Sequence, residues 1–172
     1  ETVDGIHFND YYYPTQDMDF DKQTYRASGS SRSQADWRRE NVNILVRQVY
    51  AAVKEENPNC LFGISPQGNM KNNYDGQFID CAKWVSSSGY VDYICPQIYW
   101  SFSHSLYPFD ETVDRWLSYR TNSSGKVYVG IATYKAGLKT EEADWYQDDD
   151  VLRDQVLYAR ETGEVDGFIF FR

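Results

Sequence analysis

A stretch near the start of the chain, VDGIHFNDYYYP, runs from apolar residues into Asn9, Asp10 and a burst of tyrosines. Asp10 is the one acid that the pattern sets at the C-terminal end of a strand. A carboxyl there can serve as a general acid if its surroundings raise its pKa, or it can order the loop that follows. Strict alternation turns Asp10 away from His7 and Asn9, so a bulge or turn has to re-aim it. Asn9 is an amide and cannot release a proton. The other candidates are binders at the ends of later strands. Gln67 and Gln97 can hydrogen-bond hydroxyls or fill an interior network. Tyr99, Trp100 and Tyr134 offer rings for stacking or for packing. Lys135 can pair with an acid or reach a substrate oxygen. His7 lies one pleat deeper, as a hydrogen-bonded interior histidine or as a group tuning Asp10 or Asn9.

These residues need a scaffold, and the sequence supplies an alternating one. VDGIHFN, CLFGISP, VDYICPQIYW, KVYVGIATY and DGFIFF read as short buried strands. Between them ADWRRENVNILVRQVYAAVKEENP reads as a helix with Val42, Leu45, Val46, Val49 and Val53 on one face. Asp36 is its expected N-cap, and Pro58 lies beyond its end. YDGQFIDCAKWVSSSG, FDETVDRWLSYRTNSSG and DDDVLRDQVLYARETG read as three more helices closed by glycine. The order β-α-β-α-β-α-β-α-β implies parallel strands joined by crossovers. The longest irregular stretch, Pro14 to about Ala35, follows the first strand on the side where α/β proteins bind ligands.

Alternation inside the strands separates two sheet types. Ile6 and Phe8, Phe62 and Ile64, Ile94 and Ile98, and Val127, Val129 and Ile131 form one greasy face. The opposite face is small or polar: His7 and Asn9; Gly63, Ser65 and Gln67; Cys95, Gln97 and Tyr99; Tyr128, Gly130, Ala132 and Tyr134. A doubly wound sheet needs two greasy faces, and the G-x-G-x-x-G fingerprint is absent. The expected fold is therefore α/β: a partial (β/α)8 TIM barrel with about five parallel strands alternating with helices. A complete barrel takes roughly 250 residues, so 172 residues are expected to form one domain, 1–172, short of about three units. The chain opens directly on a strand pattern, which we read as an excised piece. Open edges would invite self-association.

Composition narrows the function. The net charge of −9 disfavours nucleic acid, and no run is long enough to suggest a membrane span. Fifteen Tyr, nine Phe and five Trp can pack a core, and Tyr and Trp can also stack on the flat CH face of a pyranose. Cys60, Cys81 and Cys95 lack CxxC spacing and are expected to be buried free thiols. With only His7 and His104 to join them, no metal and no cofactor is expected. Asp4, Asp92 and Asp166 stand at strand starts, away from a barrel's active face. Arg38 and Asn41 are expected to anchor the long loop. The DDD run at 148–150 complements a helix dipole, and NSSG at 122 matches a glycosylation sequon.

DGIHFNDYYYP, DWRRENVN, FGISPQG, DYICPQIYW and VYVGIATYK, in that order, resemble the motifs of the bacterial glycosyl-hydrolase-like family 10. The resemblance runs over nearly the whole chain. It implies the C-terminal five-eighths of a glycosidase-type barrel, acting on polysaccharide, with peptidoglycan glycan and an extracytoplasmic or secreted setting as its most specific implications. Where that family usually carries paired acids, this chain has Asn9-Asp10. The chain is also similar, more faintly, to family 18 chitinase-type glycosidases. Their DGxDxDxE strand falls on DGIHFN, where His7 and Asn9 replace acids and Tyr11 or Tyr12 replaces the glutamate. Glycoside hydrolysis usually takes two carboxyls. Beyond Asp10, the second would come from other units, from Asp17, Asp19 or Asp21, or from a substrate acetamido group. The isolated piece is expected to be inactive, and a non-catalytic carbohydrate-binding barrel is the alternative.

Overall fold

The computed structural model describes residues 3–9, 12–121 and 125–172. The order is β1 (Gly5–Asn9), α1 (Lys22–Ala27), α2 (Gln34–Glu56), β2 (Leu61–Ser65), α3 (Met70–Gly76), α4 (Cys81–Ser86), β3 (Tyr93–Ile94), α5 (Phe109–Ser118), β4 (Lys126–Ala132), a 3-10 turn (Thr133–Lys135), α6 (Asp144–Gln147), α7 (Val151–Glu161) and β5 (Gly167–Phe171). All strand pairs are parallel, and the spatial order β1-β2-β3-β4-β5 equals the chain order. No strand order reverses, as it would in a doubly wound sheet. The strands curl into a half-barrel, with the helices outside, as in part of a TIM barrel.

The greasy strand face meets the helices as the alternation requires. Phe62, Ile64, Ile94, Ile98, Val127, Val129 and Ile131 are buried with Val42, Val46, Trp84 and Trp116 from the helix layer. Each large apolar side chain so buried contributes about 1.5–3 kcal/mol. The indole N–H groups find acceptors: Trp84 Nε1 donates to Asn43 Oδ1 at 2.7 Å and Trp116 Nε1 to the Gly68 carbonyl at 2.8 Å. All three cysteines are free and buried.

Strand-start acids close the barrel's other end. Asp92 accepts the Phe62 N–H at 2.7 Å and pairs with Lys54 at 2.7 Å. Asp166 accepts the Val127 N–H at 2.9 Å and pairs with Arg120 at 3.0 Å. Each acid thus satisfies an N–H at the start of the preceding strand.

Five local expectations are corrected. The cap of α2 is Ser33, whose hydroxyl accepts from the Asp36 N–H at 3.1 Å, because the helix begins a turn earlier. Leu45 is exposed, since the buried stripe runs through Val42, Asn43, Val46 and Val53. The single helix expected between β2 and β3 is two, α3 and α4. The break holds Phe78 at φ 55, in the left-handed region, with its ring buried against Arg38. The long loop contains α1. The third strand also shortens to Tyr93–Ile94, because Pro96 has no N–H to donate. Pairing resumes beyond it through the bridges Gln67–Gln97 and Gln97–Gly130.

Candidate active site at the strand ends

Three layers build the inner face of the half-barrel. At the floor, His7 of β1 and Tyr93 of β3 face each other across β2. Tyr93 pairs in register with Gly63, which pairs with His7. A Cβ on Gly63 would lie 2.0 Å from the Tyr93 ring. Glycine therefore lets the ring lie over β2 and place its hydroxyl 2.8 Å from His7 Nδ1. The Tyr128 ring stacks on the other side of Tyr93, with centroids 4.7 Å apart. Burial lowers the His7 pKa and favours neutral imidazole. Burial, helped by Cys95, Tyr128 and Asp92, pushes the Tyr93 phenol up to about 12. A phenol that stays protonated can donate to Nδ1, which puts the His7 proton on Nε2.

The middle layer is an amide network. Gln97 Nε2 donates to Asn9 Oδ1 at 2.9 Å and to the Ser65 carbonyl at 3.1 Å, and Ser65 Oγ donates to the Cys95 carbonyl at 2.8 Å. With its oxygen accepting from Gln97, Asn9 has its amide N–H groups left to offer as donors.

The rim is aromatic. Tyr99 stacks on Phe171 at 5.6 Å and 17°, and Tyr134 meets both rings edge-on at 6.2 and 6.0 Å. Tyr134 and Phe171 are 42% and 45% exposed, so much of this platform faces solvent. Lys135 holds the rim together: Nζ donates to the Tyr99 carbonyl at 2.6 Å, pairs with Glu142 at 3.5 Å and lies over the Trp145 ring. Glu142 also accepts the Ser101 N–H, and Asp144 accepts the Ser103 N–H at 3.0 Å. Burial opposes the Asp144 charge, but hydrogen bonds from Ser103 and Ser101 outweigh it and hold its pKa low.

The long loop after β1 is fastened by Arg38. Its fully buried guanidinium makes a 2.6 Å ion pair with Asp21, donates to the Asp17 carbonyl at 2.7 Å, and lies between the Tyr13 and Phe78 rings. Burial opposes the Asp21 charge, yet the Arg38 and Gln34 hydrogen bonds bring its pKa below the ordinary value.

His7, Asn9, Gln97, Tyr99 and Tyr134 therefore share one concave face. Gln67 and Trp100 do not join them directly. Gln67 Oε1 accepts from Asn72 Nδ2 at 2.6 Å, and Trp100, one residue beyond Tyr99, packs at a tilt against Tyr107, with centroids 4.9 Å apart. Lys135 is engaged by the protein itself. Asp10, the expected general acid, lies outside the described residues, as do Tyr11 and the sequon at 122–124. Sequence reasoning missed Tyr93 and Phe171. Both carry the inward parity of their strands, at two residues before Cys95 and at the end of DGFIFF, and that parity was the available signal. Among the described residues no group of three His, Cys, Asp or Glu side chains could hold a metal, and no helix is long and apolar enough to cross a membrane.

A family model described as Glycosyl hydrolase-like 10 matches residues 2–147. Glycosyl hydrolase DigH of Escherichia coli strain K12 is 35% identical over 191 residues, which takes in 99% of this chain and 43% of that protein. Glycosyl hydrolase YngK of Bacillus subtilis strain 168 is 32% identical over 189 residues, 98% of this chain and 36% of that protein. The chain thus spans less than half the length of these relatives.

Proposed function

The chain belongs to the glycosyl hydrolase-like 10 family, and on that premise we propose that it forms the C-terminal five-eighths of a barrel glycosidase acting on polysaccharide. The observation that carries this reading is the layered inner face. A polar amide pair, Asn9 and Gln97, sits beneath an exposed aromatic platform of Tyr99, Tyr134 and Phe171. Amides suit hydroxyl and acetamido groups, and rings suit the CH faces of sugars. The substrate we infer is a neutral or acetamido glycan, with peptidoglycan glycan strands as the specific candidate, and the setting is extracytoplasmic.

Asp10, next in sequence after Asn9, is the proposed general acid, with Asn9, Gln97 and the rim rings holding the sugar. β1 pairs only with β2, and β5 only with β4, among the described residues. Ile6, Ile169 and Phe170 on these outer strands are exposed. We place further strands of a longer polypeptide at these edges. The isolated segment should be inactive and should self-associate there.

The test uses the longer protein on glycan strands stripped of peptide. Asp10→Asn should lower turnover by about 10²–10⁴-fold, the usual worth of a general acid. Equal rates would remove Asp10 from the mechanism. One observation favours a second reading, a carbohydrate-binding barrel without catalysis. The rim acids Glu142 and Asp144 are both committed to backbone N–H groups, and Asn9 is an amide. Glycan binding with no reducing-end release by the longer protein would establish it.

A further inference from the structure

A second concavity, about 410 Å3, lies on the helix side of the same wall, between α3, α4 and α5. Its floor includes Gly68, whose N–H donates to the Gln97 carbonyl at 3.1 Å. Floor and amide network are therefore two sides of one stretch of backbone. The volume falls within the range of about 300–1,000 Å3 usual for small-molecule sites.

Its walls include three tyrosines, Tyr74, Tyr107 and Tyr119, and two of these are held from behind. Tyr74 is 41% exposed, an unusual place to leave a large ring. The Arg39 guanidinium lies 4.0 Å from its centroid, and Arg39 Nη1 donates to the Tyr74 carbonyl at 2.9 Å. Arg39 is in turn paired with Asp36 at 2.8 Å. Arg39 lines the depression on the far side of Tyr74 and not this groove, so the ring is backed on one side and open to the groove on the other. The Tyr107 hydroxyl accepts from Asn69 Nδ2 at 2.8 Å, and its ring is stacked on His104 and packed at a tilt against Trp100. Rings fixed in this way lose little freedom when a ligand arrives.

The polar complement is Arg115, which is exposed to the groove and makes no ion pair among the described residues, together with the Lys71–Asp75 pair at the lip. Fixed rings interleaved with charged donors and acceptors match the two faces of a pyranose: CH groups stack, and ring hydroxyls take the hydrogen bonds. We propose that this groove is a second saccharide-binding site, outside the barrel mouth, which takes sugars of the glycan on the far side of Trp100. The ligand class rests on the glycan reading of the mouth, but the site does not depend on catalysis.

Isothermal titration of the chain with a tetramer of β-1,4-linked N-acetylglucosamine tests it, with far-UV circular dichroism to confirm that each variant folds. Tyr74→Ala and Arg115→Ala should each weaken binding by about fivefold or more, while Tyr74→Phe keeps it. Tyr99→Ala, in the mouth, should leave this binding event intact. Absence of tetramer binding, binding unchanged by both Tyr74→Ala and Arg115→Ala, or binding abolished by Tyr99→Ala alone would overturn the proposal. Groove binding by the longer protein, if that protein does not cleave glycan, would instead sink only the glycosidase reading.

Discussion

Adding one methyl group at Gly63 should collapse the floor of the mouth. The new Cβ would lie 2.0, 2.2 and 2.3 Å from three Tyr93 ring carbons, where about 3.5–4.0 Å is comfortable. The ring has to shift by more than an ångström, yet Tyr128 is stacked on it and His7 holds its hydroxyl. Overpacking of this kind costs about 1–3 kcal/mol. Losing the His7 hydrogen bond adds about 0.5–1.5 kcal/mol, and disturbing the Tyr93–Tyr128 pair adds about 0.5–1.5 kcal/mol. Gly63→Ala should therefore destabilise by about 2–6 kcal/mol, offset by roughly 0.5–1 kcal/mol because alanine loses less backbone entropy in a strand. Urea unfolding followed by tryptophan fluorescence reads this directly. The decisive comparison is the same substitution in a Tyr93→Ala background, where the obstructing ring is gone and the cost should fall below about 0.5 kcal/mol. An equal cost in both backgrounds would refute the idea that glycine is there to let Tyr93 cross β2. So would a cost under about 0.5 kcal/mol in the parent chain.

Arg38→Ala should cost about 3–5 kcal/mol, because it strands the Asp21 carboxylate in a largely buried position, and limited proteolysis should then cut the segment between β1 and α2 first. Asp21 has a folded-state pKa below its ordinary value. Its contribution is therefore complete above about pH 4 and is lost as pH falls through the folded pKa; the stability gap between the parent and Asp21→Asn, measured by urea unfolding, should close in that window. His7 should titrate below 6.5 by imidazole NMR, since burial favours the neutral ring. The sign follows: that contribution is full above about 6.5 and fades as pH drops through the lower folded value. A midpoint at or above 6.5 would show that the ring, solvent-exposed on the outer strand, is not desolvated enough for its pKa to fall.

The parity of strand residues was legible in the sequence, and with it the inner and outer faces of the sheet. Asn9, Gln97 and Tyr99 could be assigned to one face because a strand turns successive side chains to opposite sides. What parity omits is register. Tyr93 reaches His7 only because Gly63 stands opposite both, and no pattern within a single strand encodes that three-strand coincidence. The helix break at Phe78 was hidden for a related reason. A phenylalanine at φ 55 contradicts local preference, and it persists where its ring covers the Arg38 guanidinium, a partner forty residues away in sequence.

The same reasoning separates residues that shape the site from residues free to meet a ligand. Lys135, Glu142 and Asp144 carry charge near the strand ends, and by residue type each was eligible for chemistry. Their charges are already met: Lys135 by Glu142, and the two acids by N–H groups at Ser101 and Ser103. Withdrawing any of them toward a substrate would leave a partly buried partner unpaired, at about 1–3 kcal/mol for each lost hydrogen bond. The exposed rings of Tyr134 and Phe171 incur no such penalty. Ligand recognition at this rim should therefore be dominated by stacking, and Phe171→Ala should weaken glycan binding more than Lys135→Met does.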